Sequence, residues 1–302
     1  MTRVAVVDIG TNSTRLLIAE PAGDGLHELE RRSEVTRLGE GVDRTGELAE
    51  EPQGRVLAVL AEYASQIAGH GVERTTAVMT SAVRDAANGA EFAERVRREH
   101  GLEGRTLSGD EEARLTFRGA TATRGAGDGR LLVVDIGGGS TELVVGEGRD
   151  VVFHVSTQNG VVRHTERHLH SDPPAGKEMD ALSRAVRADF ARHARADVQA
   201  AIGVAGTPTS CAAIDLEVEP YDPSRVEGHE LSVERLAEIR DRLAALPLAR
   251  RREVPGLHPD RAPTIVAGVL ILIEALEAFA LGHVRVSERD ILWGAALELL
   301  AR

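Results

Sequence analysis

Two segments of the sequence combine an acidic residue with a turn that is rich in glycine and hydroxyl side chains. Residues 6–16 read Val-Val-Asp-Ile-Gly-Thr-Asn-Ser-Thr-Arg-Leu, and residues 133–143 read Val-Val-Asp-Ile-Gly-Gly-Gly-Ser-Thr-Glu-Leu. Glycine permits backbone conformations that bring N–H groups to one point, and hydroxyls add donors, so each turn can cradle phosphate oxygens. The predicted phosphate-binding residues of the two turns are Thr11, Asn12, Ser13, Gly137, Gly138, Gly139 and Ser140.

An aspartate precedes each turn, Asp8 in the first segment and Asp135 in the second. A carboxylate beside a bound phosphate repels it unless a cation lies between them, so both residues are predicted to bind Mg²⁺ or to position a water molecule. A single Asp-Ile-Gly turn is more often only a tight hairpin. Here, however, eight of eleven aligned positions are identical at an offset of 127 residues, and this repetition favours a shared chemical role.

The elements that carry these turns follow from the apolar residues around them. Leu16-Leu17-Ile18 and Leu143-Val144-Val145 predict a strand after each turn, which makes each segment a hairpin and argues against a dinucleotide-binding crossover. A short strand is predicted at 78–80. Apolar residues at helical spacing predict helices near 50–69, 89–100, 177–196, 232–246, 262–281 and 290–300.

The length and the repeat together predict two domains. A chain of 302 residues is about twice the length of a typical domain, and one copy of the hairpin falls in each half. The small, polar, glycine-rich stretch 121–129 predicts the boundary. We therefore expect a first domain at 1–125 and a second at 126–302, with the last helix able to pack back on the first domain.

Composition excludes several classes of protein and partner. The net charge of −12 argues against duplex nucleic acid and membrane surfaces as partners, since both need a broad basic surface. One cysteine, Cys211, allows no intrachain disulfide, and the first residues lead directly into a predicted strand, so a cytoplasmic location is expected. The histidines at 164, 168 and 170 show no zinc pattern and are expected in a solvated loop.

Six motifs in order resemble one family. They are residues 8–13, 36–42, 80–88, 108–115, 135–143 and 205–209. With them the chain resembles the exopolyphosphatase and guanosine pentaphosphate phosphohydrolase family, a branch of the superfamily that contains actin and sugar kinases. The resemblance implies an α/β fold of two actin-like (ribonuclease H-like) domains, an active-site cleft between the domains, and a homodimer. In the late segment 288–294 the chain departs from the family, because Leu292-Trp293-Gly294 stands where we expect an arginine-containing turn, and we assign that segment no function.

The resemblance also implies roles for individual residues of the first domain. Glu112 is expected to be the catalytic base that activates water, in preference to Glu111; without the family, an acidic pair at the start of a helix would be explained by its favourable position there. Arg84 is expected to clamp phosphate. The alternative for Arg84 is a surface ion pair with Asp85.

In the second domain the resemblance makes Asp135 and Glu142 ligands of a metal ion or of water. Arg15 occupies the position of Glu142 in the first copy, which suggests one turn for metal and one for phosphate. Gly206 and Thr207 follow an apolar run and resemble a third phosphate-facing turn; alone, they would indicate only a strand-to-helix turn.

These roles predict a Mg²⁺-dependent hydrolase that releases terminal phosphate from inorganic polyphosphate. Hydrolysis of guanosine pentaphosphate is the first alternative, because the motifs handle phosphates and not the base. An ATPase or small-molecule kinase acting on other nucleotides is a second alternative, disfavoured by the motifs at 80–88 and 108–115. A nucleotide- or polyanion-binding module without activity would need no base, so Glu112 counts against it.

Overall fold

The chain divides into two units of dense internal contact. In a computed structural model, residues 2–23, 25–122, 129–194 and 197–301 are described. The first unit comprises Met1–Thr123 and Arg289–Arg302, and the second comprises Arg124–Glu288. The domain boundary expected at 125/126 lies outside the described residues.

The first unit alternates strands and helices after an initial meander. Its elements are β1 (Val4–Ile9), β2 (Thr14–Ala22), β3 (Gly25–Glu34), α1 (Val42–Thr45), α2 (Glu50–Gly69), β4 (Arg74–Met79), α3 (Ser81–Asp85), α4 (Gly89–His100), β5 (Gly104–Thr106) and α5 (Gly109–Ala120). The described strands form a five-stranded sheet in the order β3-β2-β1-β4-β5. Strands β1, β4 and β5 are parallel, whereas β2 and β3 are antiparallel to their neighbours.

The second unit begins with the second copy of the hairpin. Its elements are β6 (Arg130–Ile136), β7 (Thr141–Glu147), β8 (Asp150–Thr157), α6 (Val161–His168), α7 (Gly176–Phe190), β9 (Ala200–Val204), α8 (Gly206–Asp215), α9 (Pro223–Val226), β10 (Glu230–Ser232), α10 (Val233–Ala244), α11 (Leu248–Arg251), α12 (Ile265–Ala278) and β11 (His283–Val286). The described strands form a six-stranded sheet in the order β10-β11-β9-β6-β7-β8.

The chain ends with α13 (Ile291–Ala301), which returns to the first unit. Both faces of the first sheet are therefore covered, and β1 is buried along its whole length. Alternate residues such as Val7 and Ile9 pack against α2 and α4, while Val4 and Val6 pack against α5 and α13. Burial on both faces explains why β1 has a continuous apolar run instead of an alternating one.

Each predicted hairpin is present. Strands β1 and β2 pair antiparallel with Asp8 opposite Arg15, and β6 and β7 pair antiparallel with Asp135 opposite Glu142. The predicted helices are also present, and α2 and α4 match the expected ranges residue for residue. The helix predicted at 177–196 is the largest deviation, because α7 ends at Phe190.

The apolar run 265–273 forms the first part of α12, whose residues are buried from Ile265 to Leu276. This helix lies in the core of the second unit, between residues of β6 and the helices α6, α7 and α10. Across the described ranges, the structure contains no helix with both the length and the apolar character needed to cross a membrane.

Candidate active site

Parallel strands gather the candidate residues of the first unit. The carboxyl ends of parallel strands lie at one edge of a sheet, and open α/β sheets bind ligands there. The residues that follow β1, β4 and β5 are the turn 10–13, the start of α3 and the start of α5. The topology thus brings together three of the motifs that the sequence analysis identified separately.

The first turn is held by hydrogen bonds of its own residues. Gly10 N donates to Ser13 O at 3.0 Å. The hydroxyl of Thr11 lies 2.8 Å from Ser81 Oγ and accepts from the backbone N–H of Ala82 at 3.1 Å, so it fixes the turn to the start of α3. Phosphate binding by Thr11, and by its half-buried neighbours Asn12 and Ser13, stays a prediction.

The motif at 36–42 packs directly on this turn. Gly39 N donates to Thr11 O at 2.8 Å, and Arg37 N donates to Asn12 O at 2.9 Å. A Cβ atom at Gly39 would come within 2.2 Å of Thr11 Cγ2, so only glycine fits at this close approach. This loop therefore supports the turn from behind.

Asp8 is buried beside a guanidinium. Its Oδ2 accepts from Arg15 Nε at 2.8 Å and from Nη2 at 2.5 Å. Burial raises the pKa of the Asp8 carboxyl above its usual value, and Arg15 opposes that rise. Within the described ranges, no residue donates to the other oxygen, Oδ1, which is buried. A donor from outside the chain, such as water or a metal-bound water, fits that oxygen.

Arg15 contacts a second carboxylate. Besides Asp8, its guanidinium donates from Nη1 to the buried carboxylate of Asp290. The structure thus places the charge of Arg15 between two carboxylates of its own unit. The suggestion that one turn serves metal and the other phosphate stays a prediction.

Arg84 and Glu112 form a hydrogen-bonded ion pair. Arg84 Nη1 donates to Glu112 Oε2 at 2.9 Å and to the backbone oxygen of Leu107 at 3.0 Å. Its Nε lies 3.6 Å from Asp85 Oδ1, so the alternative ion pair is also present but longer. The Glu112 side chain is 8% exposed and that of Arg84 22% exposed, so the pair is shielded while the guanidinium still reaches solvent.

The two glutamates at the start of α5 have different environments. Glu111 completes a capping box: its Oε2 accepts from both the backbone N–H and the hydroxyl of Ser108 at 2.9 Å. These hydrogen bonds hold the pKa of the exposed Glu111 carboxyl below its usual value. Glu111 therefore has a structural task, whereas Glu112 is buried against Arg84.

In the second unit, Asp135 and Glu142 lie directly opposite each other on β6 and β7. Both are buried, at 7% and 1% exposure. Glu142 Oε1 accepts from the hydroxyl of Ser156 on β8 at 2.7 Å, which orients the carboxylate. Two neighbouring buried carboxylates repel each other, and a divalent cation would relieve this repulsion.

The glycine turn 137–140 is anchored to α6. Gly137 N donates to Ser140 O at 3.0 Å, as in the first copy. The backbone N–H groups of Val161 and Val162 donate to the oxygens of Gly137 and Gly138 at 3.0 and 2.9 Å. The first backbone N–H groups of α6 are thus hydrogen-bonded to the turn, and these bonds fix the shape of the turn.

Gly206 and Thr207 lie at the same edge of the second sheet as the glycine turn, because Asp135 and Val204 are parallel partners. The turn into α8 is tight, since Ala205 has a φ of 66°. The sequence analysis did not identify Arg261, whose Nη1 donates to Gly206 O at 2.6 Å. Its only sequence signal is an arginine in a turn before the apolar run of α12.

His164 contradicts the expected solvated loop. It lies in α6, is 3% exposed, and its Nε2 is 2.8 Å from Asn159 Oδ1. Its ring stacks on that of His168 with centroids 5.3 Å apart. Burial lowers the pKa of His164 to about 4.

Among the described residues, no group of three or more His, Cys, Asp and Glu side chains is arranged to hold a metal ion alone. Mg²⁺ does not need such a group, because it usually takes one or two carboxylates and completes its shell with water and substrate phosphates. Asp135 and Glu142 fit that pattern as a pair. The unpartnered Oδ1 of Asp8 fits a water molecule better than a metal ion, since Arg15 already neutralises the carboxylate.

Comparison with known proteins identifies the family. The model of the Ppx/GppA phosphatase family matches residues 17–301. The chain belongs to this family. Exopolyphosphatase 2 of Mycobacterium tuberculosis is 38% identical, with 99% of each chain covered. A solved exopolyphosphatase-like protein is 36% identical with a TM-score of 0.91, covering 98% of this chain and 97% of its own. The Ppx/GppA family member of Aquifex aeolicus is 34% identical with a TM-score of 0.84, covering 99% and 98%.

These likenesses confirm the predicted fold class, an α/β fold in which two mixed sheets each carry one copy of the hairpin. The expected cleft between the domains and the individual site residues stay predictions.

Proposed function

We propose that this protein is an exopolyphosphatase that hydrolyses the terminal phosphoanhydride bond of inorganic polyphosphate with the help of Mg²⁺. The observation that carries the proposal is the buried Glu112 held by Arg84 at the carboxyl edge of the first sheet, in a member of a phosphatase family whose relative at 38% identity is named an exopolyphosphatase.

Glu112 is the proposed base. It accepts a proton from water, and the water oxygen bonds to the terminal phosphorus while the bridging P–O bond breaks. One water is consumed, orthophosphate leaves, and the polyphosphate is one unit shorter. A base of this kind must be fixed within hydrogen-bond reach of its water, and Arg84 supplies that restraint.

Arg84 has a second task in the proposal. Phosphoryl transfer needs cationic groups over the charged oxygens, and a guanidinium presents several donors in a planar fork. One edge of Arg84 is anchored on Leu107 and Glu112, and its partial exposure leaves it accessible to a phosphate oxygen. This anchoring keeps Glu112, the proposed base, and Arg84, the proposed phosphate-binding cation, at a fixed distance from each other.

Asp135 and Glu142 are the proposed Mg²⁺ ligands, and Asp8 the proposed holder of a water molecule through Oδ1. When bound, Mg²⁺ would neutralise phosphate oxygens beside an acidic site. The turns 10–13 and 137–140, together with Gly206, Thr207 and Arg261, are the proposed phosphate-binding groups. Because the net charge is −12, these local donors must attract the polyanion, so duplex nucleic acid is not a proposed partner. We also propose a cytoplasmic location, in keeping with the single cysteine, and a homodimer, as the family resemblance implies.

The test is release of orthophosphate by the purified protein from short and long polyphosphates, guanosine pentaphosphate and ATP. Each substrate is assayed with Mg²⁺ and with excess chelator, and Glu112→Gln serves as the control for contaminating phosphatases. Mg²⁺-dependent release from polyphosphate, absent in Glu112→Gln, is expected. Faster release from guanosine pentaphosphate or ATP than from any polyphosphate would show that polyphosphate is not the preferred substrate. Full activity in excess chelator would contradict the proposed dependence on Mg²⁺.

A further inference from the structure

The last helix of the first unit begins with a buried carboxylate that reaches the first hairpin. Asp290 is 2% exposed, and Arg15 donates from Nη1 to Asp290 Oδ2. Asp290 Oδ1 accepts from the backbone N–H of Leu292 at 3.0 Å, in the first turn of α13. One oxygen of Asp290 is thus held by its own helix and the other by Arg15.

Arg15 transmits this restraint to Asp8. Its Nε and Nη2 both donate to Asp8 Oδ2, at 2.8 and 2.5 Å. A guanidinium is planar and its donors point in fixed directions, so holding Nη1 fixes the opposite edge of the group. Asp290, Arg15 and Asp8 therefore form one rigid chain of charge-assisted hydrogen bonds.

The helix that carries Asp290 is itself fixed against the helix that carries Glu112. A Cβ atom at Gly119 of α5 would lie 1.9 Å from the backbone oxygen of Asp290, and one at Gly294 would lie 1.8 Å from the backbone oxygen of Leu115. The two backbones thus touch where side chains would separate them. Asp290 is placed relative to the same helix that places the proposed base.

This series of hydrogen bonds ends at Asp8 Oδ1, which has no hydrogen-bond partner among the described residues. Asp8 Oδ1 is buried, and a buried acceptor that no group satisfies is unfavourable. The strongly held Oδ2 prevents the carboxylate from rotating to find another donor. The arrangement suits an oxygen that must meet a donor arriving with the substrate.

We propose that Asp290 is a positioning residue for hydrolysis: by holding Arg15 it orients Asp8, whose Oδ1 accepts a hydrogen bond from a water molecule at the reacting phosphate. This inference rests on the proposed function and extends it. It also gives a role to a residue of the segment 288–294, to which the sequence analysis assigned no function.

Asp290→Asn tests the inference with little change of shape. Asparagine keeps an oxygen for Leu292 N and loses the charge that holds Arg15. We expect kcat on a short polyphosphate to fall between about tenfold and a hundredfold, as for a small misplacement of a reacting group, with KM changed less than about twofold. In an Asp8→Asn background, Asp290→Asn should add little further loss, because both act through one carboxylate. Arg15→Lys, which cannot fork onto both carboxylates, should also lower kcat.

The single tryptophan separates positioning from loss of structure. Trp293 lies three residues after Asp290, is 5% exposed, and donates from Nε1 to Glu28, so its fluorescence reports whether α13 is docked. Its emission should be the same in Asp290→Asn and wild type. Glu298→Gln is the matched control: it lies on the same helix as Asp290, removes the charge that faces Arg105 of β5 at 3.2 Å, and should keep kcat.

Each result decides the inference. Wild-type kcat in Asp290→Asn or Arg15→Lys, additive losses in the double variant, or a red-shifted Trp293 emission that accompanies the loss of kcat would overturn it while leaving the proposed function intact. Absence of phosphate release by the wild-type protein would overturn the proposed function, and this inference with it.

Discussion

Replacing each member of the Glu111–Glu112 pair by glutamine should separate stability from catalysis. Glu112→Gln keeps the size of the side chain and one acceptor for Arg84, but it removes the basic carboxylate. A positioned general base contributes about 10²–10⁴ in rate, so kcat should fall by that factor while the affinity for polyphosphate stays within a few-fold of wild type. Glu111→Gln should leave kcat within about twofold of wild type, because Glu111 faces Ser108 and not Arg84.

The two variants should also differ in stability, but this difference should be smaller than the difference in kcat. Losing the charge of Glu112 weakens its bond to Arg84 from the charge-assisted range toward the neutral range, a change of about 1–2 kcal/mol in the free energy of unfolding. Glu111 accepts two bonds from Ser108 at an exposed helix end, and weakening them should cost about 0.5–1 kcal/mol. Neither loss unfolds a protein of ordinary stability.

The assay combines three measurements on each variant. They are steady-state phosphate release from a short polyphosphate, binding of the same substrate by calorimetry, and urea unfolding. If Glu111→Gln loses activity and Glu112→Gln keeps it, the assignment within the pair is wrong by one residue. If both keep wild-type kcat, water activation by either glutamate is wrong, and the mechanism proposed for this site fails.

Two further predictions concern the second unit. Asp135→Asn and Glu142→Gln should each raise the Mg²⁺ concentration needed for half-maximal rate by about tenfold or more, since each removes a ligand charge; rates equal to wild type at limiting Mg²⁺ would contradict the metal assignment. His164 has a folded-state pKa of about 4, below the ordinary value of 6.5, so the unfolded chain binds its proton first as pH falls. The free energy of unfolding therefore falls as pH drops from about 6.5 toward 4. The loss due to His164 is about 2 kcal/mol between pH 7 and pH 5. Urea unfolding at both pH values should show a smaller loss in His164→Gln, and an unchanged loss would show that His164 is not the titrating group.

Local patterns in the sequence predicted much of the fold. The hairpins followed from a repeat whose apolar residues resume after each turn, and α2 and α4 followed from helical periodicity within one segment. The edge strand β3 was missed because its residues are half-exposed and mostly polar or charged, so it lacks a continuous apolar run. The edge strand β8 was missed although it carries Val151, Val152 and Phe153, because that apolar run is only three residues long. Strand β11 was missed because four residues carry too little periodicity.

Individual roles in the candidate site needed long-range contacts. The choice of Glu112 over Glu111 came from family resemblance, and the structure adds the physical difference between a capping side chain and a buried one. The contact between Arg15 and Asp290 was not predicted from the sequence, because the two residues lie 275 positions apart along the chain. His164 was expected in solvent because its neighbours are polar, yet the helix that carries it packs on the glycine turn.

The return of α13 to the first unit also sets the order in which a newly synthesised chain can complete its two halves. The second unit is one continuous stretch, whereas the cluster around Val4 and Val6 is closed by Ile291, Leu292 and Trp293. At elongation rates of about 5–20 residues per second, synthesis of the 165 residues of the second unit takes roughly 10–30 s. During that interval one face of the first sheet lacks the part of its cover that α13 supplies, and Asp290 has not yet been made. The half that carries the proposed base is thus begun first and finished last, so a nascent chain exposes part of this apolar strand surface until α13 has been made.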